Sequence, residues 1–127
     1  EKFIESENLE NRINWSLVSK GIQTEMENSS CLLMTSKFEG LPMVLIEAGV
    51  CALPAISYDT PTGPSDIISD SKSGFIVSLH NQKYFVECML QFVHDFELQQ
   101  KLSDGAKEES EKFCKQNILC QWKEILN

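Results

Sequence analysis

Glu39-Gly-Leu-Pro-Met-Val-Leu-Ile-Glu47 decides the reading of this chain, because it sets two carboxylates eight residues apart across a strand-to-helix turn. Upstream, Cys31-Leu-Leu-Met-Thr35 is an apolar run of strand length, and Gly40 and Pro42 break it before the apolar segment Met43 to Val50. Pro42 suits the first position of a helix, where an amide hydrogen would have no partner anyway. The amides of Met43, Val44 and Leu45 are then expected to point out of the helix start, where they and the macrodipole favour an anion such as a pyrophosphate. Glu39 falls in the loop beside that seat and Glu47 about one and a half turns down the helix. Carboxylates next to a phosphate seat need something else to bind. Sugar and ribose hydroxyls, which donate to an ionised Glu, are the natural candidates.

Turn residues divide the rest of the chain. Arg12 to Val18 reads as a strand with Ile13, Trp15 and Leu17 on one face, and Ile22 to Asn28 as a short helix. Strand 31–35 and helix 42–51 follow, then a strand over Pro54 to Tyr58 and a loop, Asp59-Thr-Pro-Thr-Gly-Pro64. Ser65 is expected to cap a short turn, Asp66 to Ser69, with Asp66 charging its first turn, before a last strand from Gly74 to Leu79. From Asn81 onward the pattern is helical, with Tyr84, Val86, Met89, Leu90 and Val93 at helix spacing, then Glu97 to Cys114 and Asn117 to Leu126. Alternating strands and helices predict a parallel α/β sheet covered on both sides. Ligands of such sheets bind beyond the carboxyl ends of the strands, which brings the 39–47 segment, the Thr62-Gly63 loop and the Ser19 region to one crevice.

Composition removes several classes. The 127 residues can bury one core, and the net charge of −8 with eleven scattered basic residues argues against a nucleic-acid partner. No apolar run approaches the ~20 residues that span a bilayer, no signal peptide is present and no basic membrane-docking patch is visible; the expected compartment is the cytoplasm. Cys31, Cys51, Cys88, Cys114 and Cys120 lack the C-x-x-C spacing of a metal site and read as reduced thiols, the first three buried. His80 and His94 read as surface residues, and Trp15 and Trp122 as packing residues, Trp122 at an interdomain contact. The chain opens on Glu1 rather than Met, so a piece of a longer protein is expected.

Several ordered motifs resemble the retaining glycosyltransferases of family 4, which have the GT-B architecture of two Rossmann-like domains. Ser36-Lys-Phe-Glu39-Gly-Leu-Pro-Met-Val-Leu45-Ile-Glu47-Ala48 is similar to the family's E-x7-E segment, and Ala52-Leu-Pro54-Ala-Ile56 to its [GA]-x-P-[VA]-[IV]. Gly63-Pro-Ser-Asp66-Ile-Ile68 and Ser73-Gly74-Phe-Ile-Val77 resemble G-x-x-[ED]-I-I and N-G-x-L-V. The likeness runs over about residues 13 to 125. Leu17 stands where the family commonly has Gly, and Ala52 where it often has Gly.

The resemblance implies a single nucleotide-sugar-binding Rossmann-like domain over residues 1–127, with C-terminal helices from about 81 to 127, the acceptor domain being elsewhere. Glu39 would be the catalytic residue holding donor-sugar hydroxyls. Gly40, Leu41, Met43, Val44 and Leu45 would bind sugar and phosphate through their amides, and Glu47 the ribose. Ser19 would read the base edge, and Gly63 is either a loop contact or a turn glycine. No metal or other cofactor is expected, because the departing phosphate itself helps deprotonate the acceptor; an Arg and a Lys that assist it in the family would precede residue 1. The implied partners are a nucleotide-sugar donor, UDP-linked, and a glycan or lipid-linked acceptor, with peripheral membrane contact left to the other half at the inner face of the cell membrane. Envelope polysaccharide assembly, as in capsule or lipopolysaccharide, is the expected setting. Two other readings stand beside transfer: a nucleotide-binding module without chemistry, and a GT-B UDP-sugar epimerase.

Overall fold

The structure is a computed structural model and describes residues 2–14 and 21–126. Three parallel strands, β1 (Leu32–Met34), β2 (Ala55–Asp59) and β3 (Gly74–Ser78), pair in the order β1-β2-β3, with Leu32 opposite Ala55 and Ile56 opposite Phe75. Parallel neighbours require a crossover, and two helices supply them: α3 (Met43–Val50) between β1 and β2, and the single turn α4 (Pro64–Ile67) between β2 and β3. Two short helices, α1 (Lys2–Ser6) and α2 (Ile22–Glu27), precede the sheet. Three follow it: α5 (Gln82–His94), α6 (Phe96–Ser110), which runs into a 3-10 turn at Glu111–Phe113, and α7 (Lys115–Leu126).

Both sheet faces are covered, and β2 shows why. Its alternating residues feed two cores. Ile56 joins Phe75, Val77, Phe85, Cys88, Phe92 and Leu102, whereas Ala55 joins Met34, Leu45, Ile46, Ile67 and Ile68. Each fully buried aliphatic or aromatic side chain here contributes roughly 1.5–3 kcal/mol. On the first face Tyr58 also lays its ring 4.8 Å from that of Phe85. The two long helices begin where a side chain can accept an orphan amide: Asn81 from the Tyr84 N–H, and Asp95 from the Leu98 N–H at 2.9 Å.

Helix α3 is closely packed. Leu45, Ile46, Ala48 and Gly49 are all buried, and a Cβ at Gly49 would stand 2.9 Å from both the Ala106 carbonyl oxygen and the Ser110 side chain of α6. The helix ends in a Schellman motif, with Leu53 N–H donating to the Ala48 carbonyl and Ala52 N–H to that of Gly49, and Ala52 held at φ 55°. A left-handed residue at this point favours glycine, which gives a physical reason for the family's preference there. Ser103 of α6 locks the turn by donating to the Ala52 carbonyl at 2.7 Å.

The elements follow the sequence reading closely, with four differences. Pro42 is the residue before α3 rather than its first. Gly63, not Ser65, precedes α4, and Pro64 takes the first helical position, its ring pre-set for helical φ. The expected 97–114 helix starts at Phe96 and tightens to 3-10 after Ser110, while α7 begins at Lys115 rather than Asn117. Helix α1 has no counterpart in the expected pattern. Residues 15–18 of the expected first strand lie outside the described residues, while Arg12 and Ile13 donate to the Leu9 carbonyl in a turn. Of the three cysteines read as buried, Cys88 is buried and Cys31 and Cys51 are half-buried; burial pushes the Cys31 thiol up to about 11, against a bond from the Ile56 backbone. His80 and His94 are exposed.

Among the described residues one charge is buried. Glu109 of α6 pairs with Lys112 and, at 3.1 Å, with Lys72 in the turn before β3. The Lys112 ammonium, then Lys72 and Ser69, hold the carboxyl below its ordinary value of 4.5 against the opposing pull of burial. A carboxyl depressed in the fold stabilises it above the unfolded-state value and ceases to as pH falls through the folded one. Between pH 5 and 3 the wild-type unfolding midpoint should therefore fall more steeply than that of Glu109→Gln, as read by circular dichroism melts. Ala52→Gly should relieve the left-handed strain and stabilise the domain by about 0.5–1 kcal/mol, seen as a higher urea midpoint at unchanged slope.

Candidate functional site

The carboxyl end of β1 feeds the loop 35–42, which delivers the chain to the start of α3. Pro42 carries no side-chain donor or acceptor and no N–H, so nothing of its own caps the helix. Its carbonyl instead accepts the Leu45 N–H at 2.9 Å. That corrects one expectation: the Leu45 amide is engaged within the first turn and does not face outward. The amides of Met43 and Val44 have no acceptor among the described residues and remain the open donors of the helix start. Gly40 beside them is exposed, with open space where a Cβ would be, while Leu41, Met43 and Phe38 put apolar side chains into solvent around the opening.

Glu39 is half-buried in this loop, and its carbonyl accepts a hydrogen bond from Thr62 Oγ1 at 2.7 Å. Gly63 lies against the same turn, with φ 105°; a Cβ there would meet both the Gly40 carbonyl oxygen and Pro42 Cδ at 2.4 Å. Gly63 is thus a turn glycine packed against the Glu39 loop.

Glu47 is exposed, about 6 Å below the helix start at 1.5 Å per residue. It lines a cavity of about 350 Å3 together with Ile22, Gln23 and Met26 of α2, Val50 of α3 and Cys51 just after it. The volume is that of a small-ligand site. Glu39 is not among the lining residues. The two acids thus do not share this cavity. Ile22 and Gln23 were not legible as site residues; the only signal was their place in the sequence shortly after Ser19, which itself lies outside the described residues. A second cavity of about 330 Å3, at the carboxyl ends of the strands, is lined by Thr35, Lys37, Tyr58, Leu79, His80 and Gln82. Among the described residues no three His, Cys, Asp or Glu side chains converge as metal ligands.

With this geometry in hand, likeness to known proteins becomes interpretable. The family described as glycosyl transferases group 1 matches residues 1–109. The chain is 38% identical over 109 residues to the amylovoran biosynthesis glycosyltransferase AmsD of Erwinia amylovora, covering 86% of this chain and 30% of that protein. It is 31% identical over 127 residues to the poly(ribitol-phosphate) alpha-N-acetylglucosaminyltransferase of Staphylococcus aureus (strain COL), covering 99% of this chain and 26% of that one. The crystal structure of TarM superposes with a TM-score of 0.88 at 31% identity, over 99% of this chain and 26% of that one. Anabaena HepE, crystallised with UDP, shares the fold with a TM-score of 0.87 at 20% identity, over 98% of this chain and 35% of that one. The chain thus spans between 26% and 35% of the length of these proteins. Its parallel sheet flanked by helices is that of the C-terminal domain of GT-B glycosyltransferases. No helix among the described residues is long and apolar enough to cross a membrane. The chain belongs to the glycosyl transferases group 1 family.

Proposed function

We propose that this chain is the donor-binding domain of a retaining family 4 glycosyltransferase that moves a hexose or N-acetylhexosamine from a UDP-sugar to a glycan or lipid-linked acceptor. The observation that carries the reading is the start of α3, where the amides of Met43 and Val44, which fall in the sequence between Glu39 and Glu47, have no acceptor among the described residues. In this reading the diphosphate rests on those amides and on Gly40 and Leu41, with the helix dipole aligned to it. Glu39 accepts from hydroxyls of the donor sugar. Glu47 accepts from the ribose, whose base extends over Ile22 and Gln23 into the cavity beside α2.

The chemistry asked of this half is electrostatic. As the glycosidic bond to the diphosphate breaks, charge builds on the leaving oxygen, and donors already fixed in place stabilise it without reorganising. The leaving phosphate then takes the acceptor proton on the same face, with no divalent metal. The glycan or lipid-linked acceptor would be bound by the remainder of the protein, so this domain alone binds donor and does not turn over. The names of the two curated relatives, one in amylovoran biosynthesis and one acting on poly(ribitol phosphate), favour a setting in envelope polysaccharide assembly.

Glu39→Ala and Glu47→Ala in the whole protein should each lower turnover by at least ~10-fold, equivalent to about 1.4 kcal/mol of transition-state stabilisation. Near wild-type rates in both would end the catalytic reading. Cys51, which shares the Glu47 cavity, should be shielded from iodoacetamide by UDP and not by ADP, while the exposed Cys114 and Cys120 react equally with or without nucleotide. Peptide mapping by mass spectrometry would read all three, and an unshielded Cys51 would move the ribose elsewhere.

A further inference from the structure

We propose that Thr62 is a positioning residue that sets the height and direction of Glu39 over the α3 start, with Thr60 and Gly63 as its support; the proposal rests on the donor-binding reading above.

The loop that carries Glu39 is thinly held. Across residues 36–41, among the described residues, the hydrogen bond that ties the loop to another segment is the one from Thr62 Oγ1 to the Glu39 carbonyl, 2.7 Å long. Thr62 is in turn fixed from below. Buried Thr60 donates its hydroxyl to the Thr62 carbonyl at 3.1 Å, and the Thr60 N–H donates to the Tyr58 carbonyl at the end of the central strand. Next in the chain, Gly63 presses on Gly40 and Pro42 so closely that a Cβ would stand 2.4 Å from each, and its φ of 105° is open to glycine alone without strain. The Thr62 hydroxyl holds the Glu39 carbonyl, and Gly63 packs against Gly40 and Pro42 just beyond it. Two contacts from a single loop, anchored in β2, therefore fix the backbone on the carboxyl side of the Glu39 Cα.

A side chain that accepts from sugar hydroxyls is effective only where its carboxylate is held within about 0.5 Å of the productive place. Thr62 itself is exposed, so replacing its hydroxyl by a methyl removes the bond to Glu39 without opening the core. Thr62→Val keeps the β-branch and loses the donor; Thr62→Ser keeps the donor.

The test is calorimetric, on the whole protein carrying this chain, with UDP and with UDP-glucose and UDP-N-acetylglucosamine as probes. In wild type, one of the two UDP-sugars should bind more tightly than UDP, the excess reporting the grip on the sugar. Thr62→Val should lose about fivefold or more of that excess while its affinity for UDP itself and its unfolding midpoint stay within error; Thr62→Ser should restore the excess. A Thr62→Val protein that retains the full excess overturns the positioning role and leaves the donor-binding reading standing. Equal loss of UDP and UDP-sugar affinity with a lowered melting midpoint also overturns it, since that is the mark of a merely structural residue. Wild-type protein that binds neither UDP nor either sugar nucleotide ends the donor-binding reading and this proposal together, and that arm is read first.

Discussion

Everything at the site depends on α3 being immobile. Its eight residues bury Leu45 and Ile46 against the sheet, Ala48 against Met26 and Leu53, and Gly49 against the backbone of α6, so three neighbours grip a helix barely two turns long. A helix of that length has no stability of its own in water. Packing alone keeps it formed, and packing also fixes its axis, with its amino end raised to the carboxyl edge of the sheet. The open amides at that end inherit the rigidity of the core.

Much of this was legible beforehand, for identifiable reasons. The strand β1, the break at Gly40 and Pro42 and the apolar run of α3 are marked by residues whose backbone chemistry leaves few choices. The parallel sheet follows from the alternation of element types. Less legible was which side of Pro42 the helix begins on, since proline is compatible with both the first helical position and the one before it; the structure puts Pro42 before the helix, and its carbonyl takes the Leu45 amide. Ser65 looked like a cap by residue type, yet the Gly63-Pro64 pair outcompetes it because proline fixes the helical φ one residue earlier.

Contacts distant in sequence were beyond reach. Nothing in the spacing of Thr62 and Glu39 signals that one donates to the other, and the steric fit of Gly63 against Gly40 and Pro42 exists only once the β2–α4 connection has folded over the β1–α3 loop. The cavity beside Glu47 likewise needs α2 in place, and Ile22 and Gln23 carry no chemical mark that distinguishes them from ordinary helix residues. The acidic motif announces itself, but the framework that aims it does not.

Helix α7 closes the chain with no buried residue, and Leu119, Trp122, Ile125 and Leu126 all face water. Apolar surface left wet forfeits roughly 25 cal/mol for every square ångström that burial would have recovered. In solution such a ridge makes an isolated domain sticky toward its own copies, while the charge of −8 pushes those copies apart. Salt shortens the range of that repulsion and leaves the ridge untouched, so the colloidal behaviour of this polypeptide should worsen as ionic strength rises.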